Sequence, residues 1–390
     1  MRKVAPFLIL DVWRGVAALW VVMIHSCLSF LATGDNMRLI SNPLYAVSVW
    51  GQLGVVIFFV ISGYCIMGAA YSTLAAGRTA ARFGLDRIRR IYPPYLAVCL
   101  FIILVSVAIG FAQQLHFLPP QNHPGAPHAP LFWISNLFLV HIEYDQPSLL
   151  IVAWSLCYEI VFYLFIGLLL AIAQLVTRNS GPARGVSIFH AGIGGLTLLS
   201  LGWRLLTPHL AMPCPFPFDR WYQFGLGSLI FLMFAAEPGR QLLWTRAQLG
   251  VAALLTLIYA VEPASTPFRL GYPSSHIQAA TCLVFAVILC LLRPWDATLA
   301  HLRVLRPLMW LGTFSYSLYL VHPVILPYFD AGGRHLGLDH SHYWMTWLIQ
   351  IAAAVITGWI FFLLVEPHFI SSRQKQRVKE ELTEEPAETN

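Results

Sequence analysis

The chain has 390 residues, of which 58% are hydrophobic and only 11% charged, with mean hydropathy +0.67 and a net charge of +6. A soluble domain carries about a quarter charged residues, so this composition excludes an ordinary water-soluble globule and points to lipid as the solvent. The excess charge is mostly arginine between apolar runs, which membrane topology explains better than nucleic-acid binding. Backbone polar groups inside a bilayer must be satisfied internally, so only helices or a closed barrel can span it. The apolar runs are long and lack period-2 alternation, which selects helices.

Spans of about 20 residues are expected near 7–31, 48–70, 92–112, 151–176, 187–205, 221–236, 248–262, 276–293, 310–329 and 343–365. The first is interrupted by Arg14 and His25 and lacks a small-residue cleavage site, so it reads as a retained helix and not a signal peptide. The sixth and seventh are short. With the N-terminus in the cytoplasm, 18 of the 24 Lys and Arg residues fall on cytoplasmic segments. The expectation is an all-α, polytopic bundle of about ten helices with both termini cytoplasmic. A proline-rich outer loop (113–130) precedes a short interfacial helix at 131–142. Residues 1–370 would form the membrane domain and the polar segment 371–390 a disordered cytoplasmic tail. The seven cysteines show no C-x-x-C pair and read as small hydrophobes.

Ionisable groups inside spans are costly and mark functional candidates. Arg14 and His25 are eleven residues apart, a net rotation of about 20° over about 16 Å, so they share one face of the first helix. Equally, Arg14 could snorkel and His25 make one interhelical bond. Glu159 follows Trp154-Ser155-Leu156, early in the fourth span. His322 follows Ser317-Leu318-Tyr319 late in the ninth, before Pro323, which should kink or end that helix. Counting from helix ends puts His25, Glu159 and His322 at similar depth, toward the outer side. Glu159 could also be an arginine's structural partner, and His322 a packing or capping residue. Arg87 and Arg90 lie three apart in a cytoplasmic loop; arginine forks suit phosphate, and the same cluster also serves as a positive-inside anchor. No nucleophile elbow, Walker lysine or zinc-helix motif is present. His335, His340 and His342 lack a metal-ligand frame, so no metal is expected.

Taken in order, these segments form a pattern. Leu10-Asp11-Val12-Trp13-Arg14-Gly15 with His25, Phe58-Phe59-Val60-Ile61-Ser62-Gly63-Tyr64, Arg87/Arg90-Ile91-Tyr92-Pro93, Trp154-Ser155-Leu156-x-x-Glu159, Ser317-Leu318-Tyr319-Leu320-x-His322 and Glu366-Pro367 resemble the acyltransferase-3 family of bacterial membrane O-acyltransferases. Between about 180 and 300 the match is only to generic apolar helix. The resemblance implies a multi-pass protein of the bacterial inner membrane, an acyl-CoA donor (acetyl-CoA first) and a sugar hydroxyl acceptor. In that frame Arg87 and Arg90 bind CoA phosphates and Arg14 guides pantetheine. His25 is the general base, oriented by Glu159, with His322 and Tyr319 positioning groups or oxyanion donors. An acyl-His25 intermediate is the alternative route. The competing functions are acylation of a secondary metabolite such as a macrolide sugar, and small-molecule transport. Matching inverted repeats would favour transport, and none is visible.

Overall fold

The computed structural model describes residues 4–31, 43–114, 129–210, 212–262, 273–335 and 343–369. Most of the proline-rich loop, His340, His342 and the tail from 371 lie outside the described residues. The described elements are helical, without strands: α1 (Leu10–Leu31), α2 (Pro43–Ser48), α3 (Leu53–Ala75), α4 (Ala80–Gln114), α5 (Pro130–Leu137), α6 (Trp154–Ser180), α7 (Pro182–Leu210), α8 (Phe218–Ala235), α9 (Arg240–Val261), α10 (Ser275–Leu292), α11 (Asp296–Ala300), α12 (Arg306–Thr313), α13 (Ser315–His335) and α14 (Tyr343–Leu364). Eight of the described helical segments are long and apolar enough to cross a membrane, or nine if the broken pair α12–α13 counts as one span. The chain is therefore an all-α, multi-pass membrane protein.

Three expectations change. The sixth expected span is α8, which is not among the eight. It opens with Asp219 and Arg220 and buries most of its length, and a helix enclosed by protein does not need a lipid-facing surface. The ninth expected span is broken at Phe314. Within it, α13 continues through Pro323 and Pro327 to His335 and does not end at Pro323. Membrane helices tolerate proline where neighbouring groups take up the freed backbone. The arginine segment 87–90 is not a loop either. It belongs to α4, which runs unbroken through Pro93 and Pro94.

The chain divides into two compact units. The first comprises Met1–Arg87 and Tyr158–Thr313. Its centre is an aromatic stack in which Phe224 of α8 lies 4.3 Å from Phe59 of α3 and 4.7 Å from Phe162 of α6, between ring centroids. Helices α3 and α8 cross backbone to backbone: a Cβ on Gly63 would overlap the Phe224 carbonyl, and one on Gly227 the Val60 carbonyl. Gly15 and Gly312 make the same reciprocal contact between α1 and α12. Lipid offers no hydrophobic drive between helices, so small residues that let backbones meet are what hold them together. Asp296 caps the start of α1, accepting from the Leu8 and Ile9 amides at 3.0 and 2.9 Å.

The second unit comprises Ile88–Cys157 and Phe314–Asn390. Helices α13 and α14 pair through Phe314, Trp359 and Phe362, and Gly358 of α14 leaves room for Leu318. The short α5 buries Phe132 and exposes Leu131, Ile134 and Leu137. It is held by Asn136, whose amide donates to the Phe132 and Pro147 carbonyls and accepts from Leu149 N–H.

Candidate functional site

In the first unit, helical period turns Arg14 into the interior. Its guanidinium donates to Asp11 Oδ1 at 2.6 Å and to Cys65 Sγ of α3 at 3.2 Å. One turn along α3, the Ser62 hydroxyl donates to Glu159 Oε1 at 3.1 Å, and Tyr163 donates to the same oxygen at 2.5 Å. Arg14 lies within Coulombic reach of Glu159. Asp11, Arg14, Cys65, Ser62, Glu159 and Tyr163 thus form one polar seam through α1, α3 and α6. Gly15 and Gly63, beside Arg14 and Ser62, are the positions of close helix approach. This explains the spacing of both motifs: the glycine brings the helices together and its neighbour carries the polar group inward.

The seam corrects the depth expected for Glu159. Gly54 of α3 packs on Ala17 and Val21 of α1, and Gly51 packs on Trp20 and Ile24, so the two helices run antiparallel. Ser62 lies eight residues beyond Gly54, about 12 Å along the axis. His25 lies in the opposite direction, one turn past Val21. Glu159 is therefore level with Arg14 and not with His25. Counting from helix ends assumes that all helices begin in one plane, and these do not.

His25 Nδ1 is 2.8 Å from the Val21 carbonyl oxygen. A carbonyl only accepts, so Nδ1 carries the hydrogen and Nε2 is the basic nitrogen. Arg87 and Arg90 are half-buried and one turn apart on α4, with Arg89 exposed between them.

In the second unit, His322 is fully buried. Its Nδ1 donates to the Leu318 carbonyl at 3.1 Å, which sets the same tautomer as in His25. The Tyr319 ring lies 5.9 Å from the His322 ring. The Tyr319 hydroxyl donates to the Val152 carbonyl at 3.1 Å and shares a 2.8 Å hydrogen bond with Ser155. Its proton is thus engaged by the start of α6. Ser317 donates to Glu366 at 2.6 Å, joining two of the sequence motifs directly. Sequence reasoning passed over His141, which is buried against Cys157 Sγ at 3.5 Å; burial pushes its imidazole below the ordinary value, so it is neutral. A lone histidine in an irregular segment gave no signal.

No solved structure matches the chain. Among curated proteins it is 26% identical over 347 residues to the peptidoglycan O-acetyltransferase OatA of Listeria monocytogenes, covering 81% of this chain and 51% of that protein. It is 26% identical over 302 residues to the putative peptidoglycan O-acetyltransferase YrhL of Bacillus subtilis, covering 71% and 44%. It is 24% identical over 357 residues to the acyltransferase MdmB of Streptomyces mycarofaciens, covering 84% and 83%. The chain spans about half the length of the two peptidoglycan relatives. A family model described as an acyltransferase domain matches residues 7–366, so the chain belongs to the acyltransferase-3 family.

Proposed function

We propose that this protein is an O-acyltransferase of the bacterial inner membrane, with the N-terminus cytoplasmic. It moves an acyl group, acetyl in the first instance, from acyl-CoA to a hydroxyl of a cell-surface glycan or lipid-linked sugar. The observation that carries the reading is the seam from Arg14 through Cys65 and Ser62 to Glu159. Charged groups are kept inside a membrane domain where they serve a polar substrate. The family membership supplies the reaction type.

In this reading Arg87 and Arg90 present their guanidinium forks to the phosphates of CoA. Arg14 guides the pantetheine arm inward, and Glu159 positions Arg14, balancing its charge. His25 is the general base: the acceptor hydroxyl gives its proton to Nε2 while its oxygen attacks the thioester carbonyl. The C–S bond then breaks, and the CoA thiolate takes the proton back from the imidazolium. Transfer without a covalent enzyme intermediate uses His25 once. His322 and Tyr319 serve as positioning groups in the second unit.

Thiol release from acetyl-CoA by the purified protein, with and without glycan acceptors, tests the reading. His25→Ala is expected to lower turnover on the order of 10²–10⁴-fold, the contribution of a general base. Full turnover by a folded His25→Ala protein sinks the assignment. A trapped acetyl group on His25 after rapid quench would replace direct transfer by the two-step route.

A second reading has its own support. The relative named acyltransferase MdmB is matched over 83% of its length, and the acceptor in this reading is a secondary metabolite such as a macrolide sugar. Release of thiol with hydroxylated secondary metabolites but not with glycans would select it.

A further inference from the structure

Between 180 and 300 the sequence reads as apolar helix, yet in the first unit this stretch gathers charges at one end of α6, α7, α8 and α10. In the first turn of α8, Asp219 Oδ2 accepts from the Tyr158 hydroxyl at 2.9 Å and lies 3.7 Å from Arg220 Nε. Arg220 donates to Gln278 Oε1 of α10 at 2.6 Å, with its guanidinium carbon 5.7 Å from the centre of the Tyr158 ring. Arg204 of α7 sits 4.9 Å over the Tyr259 ring, within Coulombic reach of Asp219 and Tyr222. Gln223 donates to the Tyr222 hydroxyl at 3.2 Å. Cys214 reports on the same spot: burial pushes its thiol up to about 11, with Arg204 opposing and Asp219 reinforcing.

The cluster is incompletely satisfied. Among the described residues, Asp219 Oδ1, Arg204 Nε and Gln223 Oε1 are buried without a hydrogen-bond partner. Gln223 is 1% exposed. An ion pair that only tied helices together would use both carboxylate oxygens, because an acceptor left buried and unmade loses its hydration with no hydrogen bond in return. The side chains of Asp219 and Arg220 are still 23% and 28% exposed, so the cluster edges onto a surface. Two acceptors and one donor, beside the Tyr158 ring with Phe216 against it, are the complement of a sugar: hydroxyls to donate, ring and hydroxyl oxygens to accept, and an apolar face to stack.

We propose that this cluster is the acceptor subsite and binds a neutral sugar ring of the glycan to be acylated. The proposal rests on the O-acyltransferase reading and deepens it. The cluster lies where α6, α8 and α10 begin and α7 ends. Tyr158 precedes Glu159, which joins the subsite to the seam through a single residue step on α6.

The test uses the full chain in lipid nanodiscs with chitotetraose as the glycan probe. Its binding is measured by calorimetry without donor, and its KM with acetyl-CoA present. Asp219→Asn and Arg204→Gln are each expected to weaken chitotetraose binding by about tenfold or more, the loss of one charge-assisted hydrogen bond. The acceptor KM should rise by the same factor, with the acetyl-CoA KM unmoved. Asp219→Glu should recover part of the affinity, which a merely structural pair would not show. Unchanged chitotetraose affinity in either folded variant overturns the subsite while the O-acyltransferase reading stands. Absence of binding by the wild-type protein overturns it as well. Binding that depends on Asp219, with no transfer from acetyl-CoA, upholds the sugar site and removes the donor reading instead.

Discussion

Helices α3 and α4 are consecutive, both strongly apolar, and opposite in how they use it. The most apolar stretch of α3 has mean hydropathy 2.2 and is 72% buried, whereas that of α4 reaches 2.7 and is only 17% buried. Helix α4 turns Leu100, Phe101, Leu104, Val107 and Phe111 outward. Helix α3 meets α8 through Gly63 and carries Ser62 and Cys65 to Glu159 and Arg14. In water the more apolar helix would be the core. In lipid the order inverts, because leucine gains nothing by leaving hydrocarbon, while small and polar residues gain partners only inside the protein.

The largest effect that would break this contrast lies at the helix crossing. Gly63→Val should push the Phe224 carbonyl aside and separate α3 from α8, and Gly227→Val should do the same from the other helix. Overpacking of this kind costs about 1–3 kcal/mol where only side chains must move, and here the obstruction is backbone. Loss of the monodisperse peak in detergent chromatography is the expected result for both. A Gly63→Val protein with wild-type melting behaviour would show that the crossing is not what holds α3 in place.

The next effect lies in the seam. Glu159→Gln keeps the shape and removes the charge within reach of Arg14, so turnover should fall about 10- to 100-fold, the worth of about 1.4–2.8 kcal/mol, with melting temperature nearly unchanged. Ser62→Ala should cost less, because Tyr163 still donates to the same oxygen. If Ser62→Ala proves the more damaging, the hydroxyl touches substrate itself.

Part of the seam was legible in the sequence: Arg14 and Glu159 stand out as charges inside apolar spans, whereas Cys65, which reads as a small hydrophobe, instead accepts a hydrogen bond from Arg14. The level of Glu159 was not legible, since depth depends on how far one helix slides past another, and that is set by tertiary pairs such as Gly54 against Ala17. The break at Phe314 also escaped, having no proline at the junction, while Pro323, the expected stop, lies inside continuous helix. Asp219 and Arg220 stand side by side in the sequence, but nothing there shows that Arg204 and Gln278 converge on them. An acid–base pair opening an otherwise apolar segment was the available signal.

A smaller effect is expected where α4 leaves its apolar stretch. Arg87→Ala and Arg90→Ala should each raise the KM for acetyl-CoA several-fold, on the order of 1 kcal/mol for a phosphate contact at a half-exposed site, with turnover at saturation little changed. Replacement by lysine should recover part of the effect, since a point charge still attracts phosphate but cannot fork. If the donor KM stays flat in both alanine variants, the pair is a topology anchor, and the cytoplasmic placement of this end becomes the property to measure.

The smallest effect is the most informative about the solvent. Leu104 is 57% exposed on α4, in a stretch as apolar as any among the described helices that could cross a membrane. In a soluble core, Leu→Ala costs about 2–5 kcal/mol through lost transfer energy and the cavity left behind. On a lipid-facing surface acyl chains fill the gap, and the remaining cost is the lower insertion preference of alanine, a few tenths of a kcal/mol. Leu104→Ala should therefore leave both melting temperature and turnover at wild-type values in nanodiscs. A drop of several degrees would mean that this face of α4 packs on protein in the native membrane, against a second copy or another chain, and that the contrast between α3 and α4 belongs to the isolated chain alone.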